Sequence, residues 1–112
     1  MAISNTVVTT GDGISIFTCP GTPSSDDQEF AVTCIMFCNT SATSVKLDLY
    51  AIPSTVATKS SSTQVIKELS IPAKETFTFD TEKLVLGSAD RVWAVCDTAD
   101  ALTATVSSMR VS

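Results

Sequence analysis

The chain has 112 residues, of which 44% are hydrophobic and 17% charged, with 12 acidic and 7 basic side chains and a net charge of −5. That length and apolar content fit one domain that buries a core without disulfide staples, and they exclude a disordered chain. The basic residues Lys46, Lys59, Lys67, Lys74, Lys83, Arg91 and Arg110 are scattered, which argues against direct nucleic-acid binding, and no apolar run approaches the ~18–20 residues of a membrane-spanning helix.

In chain order, short runs rich in Val, Ile, Thr and Phe alternate with clusters of Gly, Pro, Ser, Asp and Asn, the texture of many short strands. The first expected strand is 5–10, followed by Gly11, Asp12 and Gly13, a pattern that predicts a hairpin into a second strand at 14–19. Pro20 and Gly21 stop that strand, and a polar, acidic loop follows at 22–28. The third strand is expected at 30–38, the fourth at 45–52 and, after a polar loop at 54–62, the fifth at 63–71. The sixth is expected at 75–80, a short seventh at 84–86, the eighth at 91–96 and the ninth at 102–111. Strands at this spacing predict an all-β antiparallel β-sandwich of about eight strands, jelly-roll or immunoglobulin-like, in a single domain over 1–112.

Alternation shows which face of each strand is dry. Val45, Leu47, Leu49 and Ala51 share one face of the fourth strand; Phe77 and Phe79 share one face of the sixth, against Thr76, Thr78 and Asp80; Leu102, Ala104 and Val106 share one face of the ninth. The third strand differs, because Phe30, Val32, Cys34, Met36 and Cys38 oppose a set that is also largely apolar: Ala31, Thr33, Ile35 and Phe37. The eighth sets Val92, Ala94 and Cys96 against Arg91, Trp93 and Val95. A strand apolar on both sides is covered on both sides, either by a loop of the same chain such as 54–62 or by a neighbouring subunit. The small, charge-poor chain favours the subunit, and Ile35, Phe37, Trp93 and Val95 are the expected oligomer contacts.

Little in the sequence resembles catalytic machinery. There is no histidine, which removes the commonest general base and metal ligand, and no motif flanks the serines. Cys34 and Cys38 have a tolerable zinc spacing, but in a strand their Cα atoms stand about 13 Å apart, too far for one ion. Asp26, Asp27 and Glu29 lack the order of a calcium loop. No catalytic residue, metal or cofactor is therefore expected. The start has neither the basic head nor the apolar core of a secretory signal, so the expectation is a cytoplasmic product with its cysteines, Cys19, Cys34, Cys38 and Cys96, free and buried.

Several stretches resemble a known family. Residues 2–10 (Ala-Ile-Ser-Asn-Thr-Val-Val-Thr-Thr) and 32–40 (Val-Thr-Cys-Ile-Met-Phe-Cys-Asn-Thr) are similar to segments of small virion structural proteins of tailed bacteriophages, notably marine cyanobacterial ones. Leu49-Tyr-Ala-Ile-Pro53, residues 66–71, 77–86 and the closing 102–108 resemble the same family, so the likeness covers most of the chain. It rests on structural residues and not on a catalytic motif; the acidic segment 24–29 looks longer than usual.

The resemblance implies a virion component assembled in a bacterial cytoplasm: a capsid decoration or cement protein, or a neck or tail component. It implies a homo-oligomer, a trimer by analogy with virion surface proteins, and other virion proteins such as the major capsid protein as partners. The alternative is a carbohydrate- or receptor-binding module, which needs Trp93 and Tyr50 exposed together on one concave surface. An immunoglobulin-like adhesion module would use Cys34, Cys96 and Trp93 in another way, as a bridge packed on tryptophan.

Overall fold

The computed structural model describes residues 2–79 and 84–111, and the side chains of residues 3–79 and 84–111. The expected end of the sixth strand at Asp80, and Lys83, lie outside them. Among the described residues nine strands form: β1 Ala2–Val7, β2 Ile14–Thr18, β3 Glu29–Asn39, β4 Val45–Ile52, β5 Gln64–Ile71, β6 Thr76–Phe79, β7 Leu84–Gly87, β8 Arg91–Cys96 and β9 Leu102–Arg110. A single 3-10 turn, Ser61–Thr63, precedes β5. Among the described residues no helix is long and apolar enough to cross a membrane.

The pairing describes one long antiparallel ribbon. β1 pairs with β9, β2 with β8, β3 with β6 and β7, and β4 with β5. The ribbon wraps on itself so that β9 also meets β3 and β8 also meets β4. The result is a sandwich of two antiparallel sheets: β1-β9-β3-β6, with β7 also on β3, faces β2-β8-β4-β5. This winding is that of a jelly roll. It settles the choice left open by strand spacing, since an immunoglobulin fold keeps its first two strands in one sheet and here β1 and β2 lie in different sheets.

The expected hairpin at Gly11, Asp12 and Gly13 is therefore a corner between sheets. Gly11 and Gly13 have φ of 70° and 82°, a conformation glycine adopts without steric cost. A Cβ on Gly13 would strike the Ala94 carbonyl, a Val95 methyl and the Trp93 indole nitrogen, so the missing side chain also lets the corner lie flat against β8.

Both sheets supply the core. Val32, Ile35, Phe37, Leu102, Ala104 and Val106 of the first sheet pack against Val45, Leu47, Leu49, Val92 and Ala94 of the second, all buried. The dry faces expected of β4, β6 and β9 point inward, with Phe77 and Phe79 packed at the core's edge.

On β3 the expected faces are wrong beyond Val32. Val32 pairs with Ser108 and Cys34 with the adjacent Ser107, so Thr33 is an extra residue, a β-bulge. Its Oγ1 donates to the Ser107 carbonyl at 3.1 Å. One inserted residue reverses the alternation, so Val32, Ile35 and Phe37 all face the core, while Cys34, Met36 and Cys38 face outward. Ile35 and Phe37 are 0% exposed within one copy of the chain, so neither can be an oligomer contact.

Asn39, at the end of β3, is also fully buried. Its Nδ2 donates to the carbonyls of Thr43 and Ile71 at 2.8 and 2.9 Å, and its Oδ1 accepts from the Ser41 amide and hydroxyl at 2.9 and 2.7 Å. These bonds satisfy a buried amide and tie the β3–β4 loop to the end of β5.

Candidate functional site

Two surfaces stand out, one on the outside of each sheet. On the first sheet the cross-strand register places Ile3, Asn5 and Val7 of β1 beside Ser107, Thr105 and Thr103 of β9. The same row continues to Cys34, Met36 and Cys38 of β3 and to Thr78 and Thr76 of β6. Ala31 extends it to Met109 on one side and Val85 on the other. Among the described residues no charged side chain lies on this face until Glu29 at the end of β3.

Large apolar side chains are exposed there: Ile3 at 69%, Val85 at 62%, Val7, Met36 and Met109. The others of that kind among the described residues are Val65, at the β4–β5 bulge, and Val111, just past β9.

The outside of the second sheet is built differently. Lys46 and Asp48 of β4 and Lys67 and Glu68 of β5 keep it charged, and Asp48 accepts the Glu68 amide at 2.7 Å. Tyr50 and Trp93 are direct cross-strand partners on this face, both half-buried. Burial and the neighbouring Asp48 carboxylate push the Tyr50 hydroxyl above its ordinary value.

The loop between β4 and β5 folds over one end of the face. Arg91 Nη2 donates to the Val56 carbonyl at 2.7 Å and more loosely to that of Ala57 at 3.4 Å. Asp90 Oδ1 accepts the Ser54 amide at 2.8 Å. Between this loop, the Gly11–Gly13 corner and β8 lies a cleft of about 360 Å³ lined by Asp12, Ile52, Ala57, Thr58, Lys59, Arg91 and Trp93. Trp93 Nε1 donates to the Asp12 carbonyl at 2.6 Å, which fixes the indole in place. Lys59 Nζ stands 5.8 Å from the centre of the Tyr50 ring.

Of the expected contacts, then, Trp93 and Val95 lie half-buried on the outside of the second sheet, and Ile35 and Phe37 lie in the core. A loop of the chain itself covers part of the eighth strand's outer side. Alternation alone does not reach the exposed apolar residues of the first sheet, because Ile3 precedes the expected first strand and the bulge at Thr33 turns Met36 outward. Lys59 and Asp12 carry no motif; only the fold brings them to Trp93.

The four thiols divide into two pairs. Cys19 and Cys96 are buried and Cys34 and Cys38 half-buried, all unpaired. Burial pushes the Cys19 and Cys96 thiols up from their ordinary value, with nearby carboxylates adding to the effect and a backbone hydrogen bond opposing it in each case. They behave as small apolar core residues. The acidic loop closes on itself through Thr22 and Asp26 and is anchored by the Gln28 amide on Ser88 Oγ at 2.6 Å. Among the described residues no group of three His, Cys, Asp or Glu side chains is placed to hold a metal ion.

Comparison with family models, with curated proteins and with solved structures gives no match to this chain.

Proposed function

We propose that the chain is a non-enzymatic structural subunit of a bacteriophage virion, a capsid decoration or cement protein or a neck or tail component, that works by associating with copies of itself and with other virion proteins. The observation that carries the association is the outside of the first sheet, uncharged among its described residues and studded with exposed Ile3, Val7, Met36, Val85 and Met109. On a chain of net charge −5, a face with no charge among its described strand residues before Glu29 is where two copies meet with least like-charge repulsion. Burying a large apolar side chain is worth roughly 1.5–3 kcal/mol, which a cluster of five offers against the cost of association.

The virion assignment rests on the family resemblance. The jelly roll is compatible with it but does not choose it, because that fold houses viral capsid and lectin domains alike.

Sedimentation of the purified chain tests the reading. An assembly is expected, three subunits if the face meets a different patch on its neighbour, as the resemblance implies, or two if it meets itself. Met36→Lys is expected to give monomers with an unchanged β-sheet spectrum. A wild-type chain that stays monomeric at about millimolar concentration, well above the range of stable assemblies, sinks the association. Labelling of the protein in purified phage particles decides the virion station.

A further inference from the structure

The cleft beside Trp93 serves no purpose in self-association through the first sheet, and it has the composition of a ligand site. We infer that it binds an acidic saccharide, a pyranose unit bearing a carboxylate. The argument is independent of the association proposed above.

Four observations carry it. First, the volume of about 360 Å³ falls at the small end of ligand pockets, about 300–1,000 Å³, which suits a sugar unit or two. Second, the aromatic wall is fixed: Trp93 is pinned through Nε1 to the Asp12 carbonyl, and Tyr50 lies beside it across the strands. Trp93 lines the cleft while Tyr50 lies outside its lining, so the single indole is the stacking surface offered to a sugar ring, ordered before any ligand arrives.

Third, the cleft concentrates positive charge on an acidic protein. Arg91 and Lys59 both line it against the one carboxylate of Asp12. Neither cation has an ion-pair partner among the described residues. The hydrogen bonds of Arg91 run from Nη2 to Val56 and Ala57, which leaves Nε and Nη1 without an acceptor among the described residues. A guanidinium braced by loop carbonyls and presenting free N–H groups is suited to a carboxylate.

Fourth, the lining mixes donors with an acceptor. A sugar acid supplies hydroxyls to Asp12 and Thr58 as well as a carboxylate to the two cations. A phosphate-rich ligand would bring more negative charge against Asp12.

The chain's one tryptophan is in the cleft, so its emission reports binding directly. Titration of the wild-type protein with sodium trimannuronate is expected to shift Trp93 emission saturably, with a Kd of about 0.1–1 mM. Maltotriose, neutral and of the same length, is expected to bind at least about fivefold more weakly, and Lys59→Gln to weaken trimannuronate by about three- to tenfold with an unchanged thermal midpoint. Trp93→Phe, followed by calorimetry because the reporter is gone, is expected to weaken it further. No saturable shift up to about 10 mM, equal binding of the neutral trisaccharide, full affinity in Lys59→Gln, or the same shift from sodium acetate at matched carboxylate concentration would each overturn the inference.

Discussion

The outer faces of the two sheets solve the same problem in opposite ways. Each sheet needs one apolar face for the core and is free to choose the other. The second sheet keeps its outer face wet with Lys46, Asp48, Lys67 and Glu68 and folds a loop over the end that carries Ile52, Arg91 and Trp93. The first sheet shows threonines, half-buried thiols and exposed Ile3, Met36 and Val85 on its outer face, with no charged side chain among its described residues before Glu29. Charge density, not burial alone, is what separates the two outer faces among the described residues.

The sharpest way to break that contrast is to compare neighbours on β3. Phe37→Ala is expected to cost about 3–5 kcal/mol, as for a buried aromatic, whereas Met36→Ala, one residue away on the outer face, is expected to stay within about 0.5 kcal/mol. Urea titration of both variants, at a dilution where the chains are monomeric, measures both costs; equal costs would mean that the bulge at Thr33 does not hold in solution.

On the second sheet, Gly13→Ala is expected to destabilise by about 1–3 kcal/mol, because it forces a side chain into a φ of 82° and against β8. The same change is expected to alter Trp93 emission, since the corner that holds the indole has to shift. Loss of stability with unaltered emission would separate the corner from the cleft.

The buried thiols predict a pH dependence whose sign is fixed. Burial raises the Cys19 and Cys96 thiols above their ordinary value in the folded chain. The folded state therefore keeps these protons to higher pH than the unfolded state. The stability they confer is whole below about pH 8.5 and is lost as pH rises through the folded-state values. Tyr50, raised above 10.0, acts in the same direction at still higher pH. Urea midpoints are expected to decline above pH 9, and Cys96→Ala to lessen that decline even though it lowers stability at neutral pH.

The smallest expected effect is on labelling and not on stability. In dilute native protein, Cys34 and Cys38 are expected to react with a thiol reagent while Cys19 and Cys96 wait for unfolding. If the first sheet's face is where copies meet, the Cys34 and Cys38 rates fall as protein concentration rises. A concentration-independent rate would place the contact elsewhere.

Much of this architecture is legible in single strands. The bounds of β4 and β8 and the dry faces of β4, β6 and β9 follow from alternation and from the Pro, Gly and Asn that end each run. The site was less legible. Trp93 and Tyr50 were visible as aromatics, but Asp12 meets Trp93 across 81 residues of chain and Lys59 carries no motif.

By itself the sequence determined that this chain is a sandwich of short strands, because side-chain period and turn chemistry act over a few residues. Tertiary structure alone decided three things: that Gly11 to Gly13 turns a corner between sheets instead of closing a hairpin, that Ile35 and Phe37 are core, and that, among the described residues, the first sheet's outer face is the one short of charge. The reason is that a bulge such as Thr33 leaves no mark in composition yet reverses every side chain beyond it. Which strand lies beside which is likewise set by how the whole ribbon wraps, a long-range choice that no local pattern encodes.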